Sequence, residues 1–161
     1  MTRLIATFGG VGLLRPAPGT WGSLAGLVLA FLLHMAGGFA LLFIATLGVT
    51  ALGYWAIAQE VGTSEDDPSE FVIDEVAGQW IALWPVSLGA QLTGSDILAL
   101  YPGLIVAFVA FRAFDILKPG PVGWADRQHG AFGIMADDVI AGWLAAMVVA
   151  LAAVLGHLVF L

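Results

Sequence analysis

Long apolar stretches that carry almost no charge are the feature that most restricts how this chain can fold. Five of them are separated by polar or Gly/Pro-rich joints: Gly22 to Ala36, Phe39 to Ala58, Val76 to Leu88, Ile97 to Phe114 and Val139 to Phe160. In lipid the backbone must satisfy its own hydrogen bonds, so such stretches are helical rather than strands of an open sheet. We predict an all-α, polytopic membrane helical bundle of about five helices, with residues 1–161 forming a single membrane-embedded domain.

The amino-acid composition also indicates a membrane environment. Hydrophobic residues make up 60% of the chain, and its mean hydropathy of +0.98 lies outside the usual range of soluble domains. Only 11% of the residues are charged, too few to cover the outer face of the alternative, a very apolar soluble bundle. The second, fourth and fifth stretches are long enough to span a bilayer. The first and third are shorter, because a helix of about 15 residues covers roughly 22 Å of a ~30 Å hydrocarbon core, so we expect partial or interfacial spans there.

The charged residues are confined to three polar segments. Met1 to Trp21, Glu60 to Glu75 and Arg112 to Asp138 hold every Lys and Arg and every acid except Asp96. Two helical hairpins, with tips at 34–38 and 87–96, would bring these segments to one face, which the positive-inside rule assigns to the cytoplasm. The most acidic part, residues 60–70, is predicted to be a solvated loop.

The charge balance also narrows the choice of partners. Five basic residues against twelve acidic ones argue against nucleic acid, because phosphate backbones bind clustered Lys and Arg. Cation binding fits better. With no cysteine, there is no disulfide framework, thiolate nucleophile or Cys-based metal site, and a zinc cluster is disfavoured.

Paired carboxylates mark two helix entrances. Asp74 and Glu75 open the third stretch, where a role as metal ligands and a role as helix caps remain open. Asp137 and Asp138 are adjacent at the start of the last helix, and their repulsion must be offset by a helix N-terminus, a basic side chain or a divalent cation. With Asp115, these acids supply the oxygen ligands that Mg²⁺ prefers.

Basic and hydroxyl side chains surround these acids in the three segments. Arg112 and Asp115 share a face at the end of an apolar helix, a place where ionisable groups are functional candidates. Lys118 stands just before a proline stop, and Asp126, Arg127 and His129 follow on a glycine-punctuated loop. Thr20 or Ser23 can cap the first helix, whose exposed N–H groups could receive a phosphate oxygen or serve as an ordinary cap.

Four motifs that overlap these segments resemble the phosphatidylglycerophosphatase A family. They are PAPGTWGSL at residues 16–24, DEVAGQW at 74–80, FRAFDILKPGPVGWADRQHG at 111–130 and GIMADDVIAG at 133–142. The resemblance spans most of the chain in matching order. It implies a Mg²⁺-dependent phosphatase of the bacterial inner membrane that hydrolyses phosphatidylglycerophosphate to phosphatidylglycerol and phosphate in glycerophospholipid synthesis.

From the residues and this resemblance we predict a site with three kinds of group. The expected Mg²⁺ ligands are Asp74, Glu75, Asp115, Asp137 and Asp138. The expected phosphate-binding residues are Arg112, Lys118, Arg127, Thr20 and Ser23. The expected catalytic residues are Asp137, Asp138, Asp115, His129 and Asp126. Of these, His129 and Asp126 are the candidates to protonate the leaving alkoxide.

Several alternatives stay open at this stage. Direct attack by water is the expected mechanism, and a covalent aspartyl-phosphate is the alternative. The substrate could be another lipid phosphomonoester. A cation transporter is a further alternative, because acids within a membrane also mark ion pathways, and a structural membrane subunit is another. The sequence leaves open the oligomeric state and the number of metal ions.

Overall fold

Helices account for all the regular secondary structure in the part of the chain that the computed structural model describes, residues 1–62 and 68–160. The six α-helices are α1 (Thr2–Ala6), α2 (Pro18–Val61), α3 (Ile73–Thr93), α4 (Tyr101–Leu117), α5 (Pro121–Asp126) and α6 (Gly130–Phe160). Two 3₁₀ turns, Val11–Leu13 and Ile97–Leu100, complete them. The predicted helical bundle is confirmed. Residues 63–67 of the expected solvated loop lie outside the described residues.

The long helix α2 is a helical hairpin. Gly37 and Gly38 leave helical geometry, and Gly38 has a positive φ of 64° that favours glycine. Both halves run along α3, because the indole nitrogen of Trp80 donates to the carbonyl oxygen of Gly26 (2.8 Å) and that of Trp84 donates to Oγ1 of Thr46 (3.2 Å). The two halves are the first two predicted helices, and the predicted tip at 34–38 is confirmed.

Helix α3 is longer than predicted. It begins at Ile73 and ends at Thr93, 21 residues in all, whereas we expected 76–88. Pro85 lies inside it and does not end it, and the following turn begins at Gly94 in the left-handed conformation. The predicted tip at 87–96 was therefore placed too early. The cause is that Pro85 and the polar residues after it resemble a helix end in sequence alone.

Small residues bring α3 into close contact with its neighbours in the bundle. A Cβ on Gly78 would lie 2.5 Å from the carbonyl oxygen of Asp138 on α6, and also against the ring of Phe111 on α4. Large apolar side chains face outward instead, among them Ile44, Ile105, Val109 and Leu151, each more than half exposed. Close helix contacts at small residues inside an apolar surface are typical of helices packed in lipid.

Within the described residues, three helices are long and apolar enough to cross a membrane: Pro18–Val61, the helical run Ile97–Leu117, and Gly130–Leu158. Helix α3 is not among them and lies between them, with most of its side chains buried. The hairpin order places the starts of α2, α3 and α6 and the end of α4 at one end of the bundle. The short helices α1 and α5, which the sequence analysis missed, lie at this same end, where Val72 donates its N–H to the carbonyl oxygen of Ala6 (2.9 Å).

Candidate active site

A polar cavity of about 340 Å³ opens at the end of the bundle where the three polar segments meet. Eight residues that the sequence analysis singled out line it: Thr20, Asp74, Glu75, Arg112, Asp115, Lys118, Asp137 and Asp138. The remaining lining comes from other residues of the same segments. The predicted meeting of the three segments is thus confirmed by the placement of their side chains.

Three carboxylates form a tight cluster in the lining of the cavity. Asp74, Glu75 and Asp138 each offer an oxygen, and these oxygens all lie within 4.8 Å of one another. Asp74 is 7% exposed and Asp138 3% exposed. Oε2 of Glu75 and Oδ1 of Asp138 are buried and have no hydrogen-bond partner among the described residues. Buried carboxylate oxygens without partners are costly unless a cation joins them.

The donor set of this cluster suits a hard divalent cation. All of the available ligand atoms are carboxylate oxygens, the type that Mg²⁺ prefers, and Glu75 and Asp138 each have one oxygen that no group in the described part of the chain bonds. Oδ1 of Asp74 also accepts from the backbone N–H of Glu75 (3.1 Å), so Asp74 contributes to the first turn of α3 as well as to the cluster. The residues present therefore fit a Mg²⁺ ion.

Glycines allow the helices that carry these acids to approach closely. A Cβ on Gly142 would lie 3.0 Å from the Cα of Gly78, and closer to its carbonyl oxygen, so α6 rests on the backbone of α3. A Cβ on Gly19 would collide with Oε1 of Glu75 and lie 3.1 Å from Nη1 of Arg112. The start of α2 can border the acidic cluster only because residue 19 has no side chain.

Arg112 lies beside the cluster and links α4 to α2. Its Nη1 donates to Asp115 and contacts Oγ of Ser23 at 3.4 Å. Ser23 is fully buried and donates to the carbonyl oxygen of Gly19 (2.8 Å), so it lies under the start of α2 rather than in the cavity lining. The Nε–H of Arg112 has no partner in the described part of the chain, which leaves a donor available for an anion.

Lys118 gives the adjacent residues Asp137 and Asp138 different surroundings. Its Nζ forms ion pairs with Asp126 and, at 3.0 Å, with Asp137. Burial alone would lower the pKa of Lys118, but the hydrogen bonds and charges of the two carboxylates raise it above its usual range. The sequence required a positive group near Asp137 and Asp138. The structure provides Lys118 for Asp137 and leaves Asp138 facing the acids of α3.

Three other predicted residues lie outside the cavity lining. Asp126 pairs with Lys118 at the end of α5, while Arg127 and His129 are exposed on the short loop before α6. Their predicted roles in phosphate binding and proton transfer stay predictions.

The sequence analysis missed part of the cavity wall. Gly19, Ser69 and Phe71 line it from the first two segments, and Ile116 and Ile134 line it from the third. The position of Gly19 within the first motif was a usable signal, because a glycine beside a helix start permits close approach of backbone to a ligand. The apolar residues carry no signal that separates them from ordinary bundle positions.

The chain is similar to known proteins along most of its length. The profile of the family described as "Phosphatidylglycerophosphatase A" matches residues 4–153. A phosphatidylglycerophosphatase A of Haemophilus influenzae is 39% identical over 148 residues, covering 91% of this chain and 85% of that protein. The Escherichia coli protein of the same name is 33% identical over 144 residues, covering 89% and 78%.

A third relative carries a different name. A protein of Bacteroides thetaiotaomicron named "Putative phosphatidylinositol-3-phosphatase" is 37% identical over 157 residues, covering 92% of this chain and 91% of its own. No solved structure matches the chain.

Proposed function

The chain belongs to the phosphatidylglycerophosphatase A family and is a phosphatase, and from this premise we propose that it hydrolyses phosphatidylglycerophosphate to phosphatidylglycerol and phosphate with the help of Mg²⁺. The supporting observation is the acidic cluster of Asp74, Glu75 and Asp138, whose oxygens lie within 4.8 Å of one another beside Arg112 and Lys118. A phosphomonoester requires both a positive site for its oxygens and a polar site for the attacking water. The cavity offers both kinds of group.

The cluster of three would hold the ion, with Asp115 and Asp137 as further predicted ligands. When bound, Mg²⁺ neutralises charge on the phosphate oxygens and lowers the pKa of water, which is the chemistry this hydrolysis needs. Asp115 and Asp137 already accept from Arg112 and Lys118, so Glu75 and Asp138, each with a buried oxygen that no described group bonds, are the stronger candidates.

The basic side chains would bind and orient the phosphate. Arg112 presents a planar guanidinium with an unused Nε–H, suited to two parallel hydrogen bonds with phosphate oxygens. Thr20 lies in the first turn of α2, where unpaired N–H groups and the helix dipole favour an anion. Direct attack by water then transfers the phosphoryl group without a covalent enzyme intermediate.

The bilayer fixes where such a substrate is held. Apolar helices and lipid-phosphatase relatives indicate membrane association. We assign the protein to the bacterial inner membrane with the cavity at the cytoplasmic face, because all five basic residues belong to the three polar segments. A transporter is disfavoured, since the described acids of the site lie at one end of the bundle rather than at several depths.

The second candidate substrate is another lipid phosphomonoester. The relative named for phosphatidylinositol 3-phosphate, 37% identical to this chain, is the observation that keeps it open. Phosphatidylinositol 3-phosphate and phosphatidylglycerophosphate share a phosphomonoester and a diacylglycerol anchor, and they differ in the group between them.

Phosphate release by the purified protein in mixed micelles tests the proposal. The expected result is faster hydrolysis of phosphatidylglycerophosphate than of phosphatidylinositol 3-phosphate at equal concentration, abolished by a chelator and restored by Mg²⁺. Asp138→Asn should remove both the activity and the calorimetric heat of Mg²⁺ binding. Asp96→Asn is the matched control, because Asp96 caps the far turn by accepting from the N–H of Leu98 and asparagine caps equally well.

Two results would contradict the proposal. Faster hydrolysis of phosphatidylinositol 3-phosphate would reassign the substrate. Full activity in the presence of the chelator would show that the reaction does not require Mg²⁺. Trapping of phosphate on an aspartate after acid quenching would replace direct attack by water with the covalent route.

A further inference from the structure

Arg15 lies between a polar cavity and an apolar groove. The chain passes from Leu14, which lines the groove, through Arg15 to Ala17 and Pro18, which line the cavity. Arg15 is exposed, and it has no ion pair with any described residue. By contrast, Arg3, Arg112 and Lys118 each pair with a carboxylate. A positive charge at a bilayer surface without a protein partner is suited to an anionic lipid group.

The groove itself is almost wholly apolar and has a volume of about 400 Å³. Trp21, Leu24 and Val28 recur along it at helical spacing, on the face of α2 that points away from α3. Between residues 21 and 32 the helix rises about 16 Å, so the groove descends from the polar end toward the middle of the bilayer. Ala17 and Pro18 lie one turn before Trp21, and they join its upper end to the cavity.

The proposed substrate has its chemical groups in the same order. Its phosphomonoester is followed by glycerol, then by a phosphodiester, and then by the diacylglycerol. The structure offers a cavity for a phosphomonoester, then an exposed arginine that pairs with no described carboxylate, then an apolar groove. We propose that Arg15 binds the phosphodiester of the lipid and that the groove beginning at Leu14 and Trp21 holds one of its acyl chains. This inference rests on the proposed function and names the residues that select the lipid part of the substrate.

The two products separate this proposal from the chemistry of the cavity. Phosphatidylglycerol keeps the phosphodiester and the acyl chains, whereas inorganic phosphate keeps only the group bound in the cavity. Calorimetric dissociation constants for each product, measured on the full-length protein in detergent micelles with Mg²⁺, therefore report on the two parts of the site independently. Neither measurement requires turnover.

Arg15→Gln should weaken the binding of phosphatidylglycerol about tenfold, the value of one exposed charge-assisted hydrogen bond, and leave that of inorganic phosphate unchanged. Arg3→Gln is the matched control, because it removes an exposed arginine from the same end of the bundle, one that already pairs with Glu70. Diacylglycerol, which has the chains without the phosphodiester, should bind the Arg15 variant as it binds the wild type.

A larger side chain in the groove tests the second part of the proposal, the binding of an acyl chain. Val28→Trp should weaken the binding of both phosphatidylglycerol and diacylglycerol by about fivefold, because the indole occupies space that an acyl chain needs. Ile44→Trp places the same indole on a lipid-facing position away from the groove and should change neither.

Unchanged phosphatidylglycerol binding in Arg15→Gln would overturn the proposal for Arg15. An equal loss of inorganic phosphate binding would also overturn it, since Arg15 would then belong to the cavity. Unchanged lipid binding in Val28→Trp would overturn the acyl-chain assignment. Failure of the proposed function is a separate result, seen as wild-type protein that releases no phosphate from phosphatidylglycerophosphate while both products are still titrated.

Discussion

Gly142 of α6 packs directly on the backbone of Gly78 of α3. A Cβ on Gly142 would lie 3.0 Å from the Cα of Gly78, so no larger residue fits without moving one helix. Asp138 lies one turn before Gly142, and Glu75 lies one turn before Gly78. The contact between the two glycines therefore sets how closely the acids of α3 and α6 can approach each other.

We predict that Gly142→Ala separates the acids and weakens both metal binding and catalysis. Overpacking of this kind costs about 1–3 kcal/mol of stability, and a displacement of about 1 Å in a catalytic group can cost about a hundredfold in rate. The measurements are the melting temperature, the Mg²⁺ dissociation constant and kcat.

Gly48→Ala is the control for Gly142→Ala, because a Cβ at residue 48 of α2 would meet nothing within 4 Å. It should leave all three quantities unchanged or raise the melting temperature slightly. Wild-type Mg²⁺ affinity in Gly142→Ala would show that the glycine contact does not set the geometry of the acids.

Gly19→Ala should impair the site with little effect on the bundle. The added methyl would collide with Oε1 of Glu75 and approach Nη1 of Arg112 to 3.1 Å, so both side chains must move. Because residue 19 lies in the first turn of α2, the helix itself tolerates alanine. We expect a loss of about tenfold or more in kcat/KM with a melting temperature close to that of the wild type. A fall in melting temperature without loss of kcat/KM would assign Gly19 to the fold instead.

Much of the fold follows from the sequence because lipid leaves few alternatives. Apolar stretches longer than a bilayer span must be helical, and the confinement of charge to three segments fixes which ends meet. The hairpin tip at Gly37 and Gly38 was predictable, since adjacent glycines interrupt an apolar run. The ends of α3 were not, because Pro85 is tolerated inside the helix even though proline usually marks its end.

The charged residues of the cavity were predictable from the sequence, whereas their pairing was not. Carboxylates placed in an apolar chain stand out, so Asp74, Glu75 and Asp138 could be named from the sequence. Asp137, unlike these three acids, pairs with Lys118. This pairing depends on the direction of the Lys118 side chain after α4 ends, where Lys118 adopts a positive φ of 46°. Such a turn conformation is uncommon for lysine, and no local sequence pattern indicates it.

Arg112→Lys should separate phosphate binding from metal binding. Lysine keeps the charge that pairs with Asp115 but lacks the planar fork that can hold two phosphate oxygens. We predict a loss of about a hundredfold in kcat/KM for the lipid substrate and an unchanged Mg²⁺ dissociation constant. Arg3→Lys, an exposed arginine paired with Glu70, is the control and should behave as the wild type. Equal weakening of Mg²⁺ binding would mean that Arg112 acts by holding the acids in place.

The ion pairs of Lys118 predict a contribution to stability that stays constant between about pH 7 and about pH 9. Folding raises the pKa of Lys118, so its contribution is fully present below the ordinary lysine value of about 10.4 and is lost only as pH rises through the higher folded value. Lys118→Met should therefore lower the melting temperature by the same few degrees at about pH 7 and about pH 9, from roughly 1 kcal/mol after solvent screening. The double variant Lys118→Met with Asp137→Asn should recover part of the loss, because it no longer leaves Asp137 charged without a partner. If the effect of Lys118→Met disappeared by about pH 9, the pKa of Lys118 would be lowered rather than raised, and burial would dominate over its two carboxylate partners.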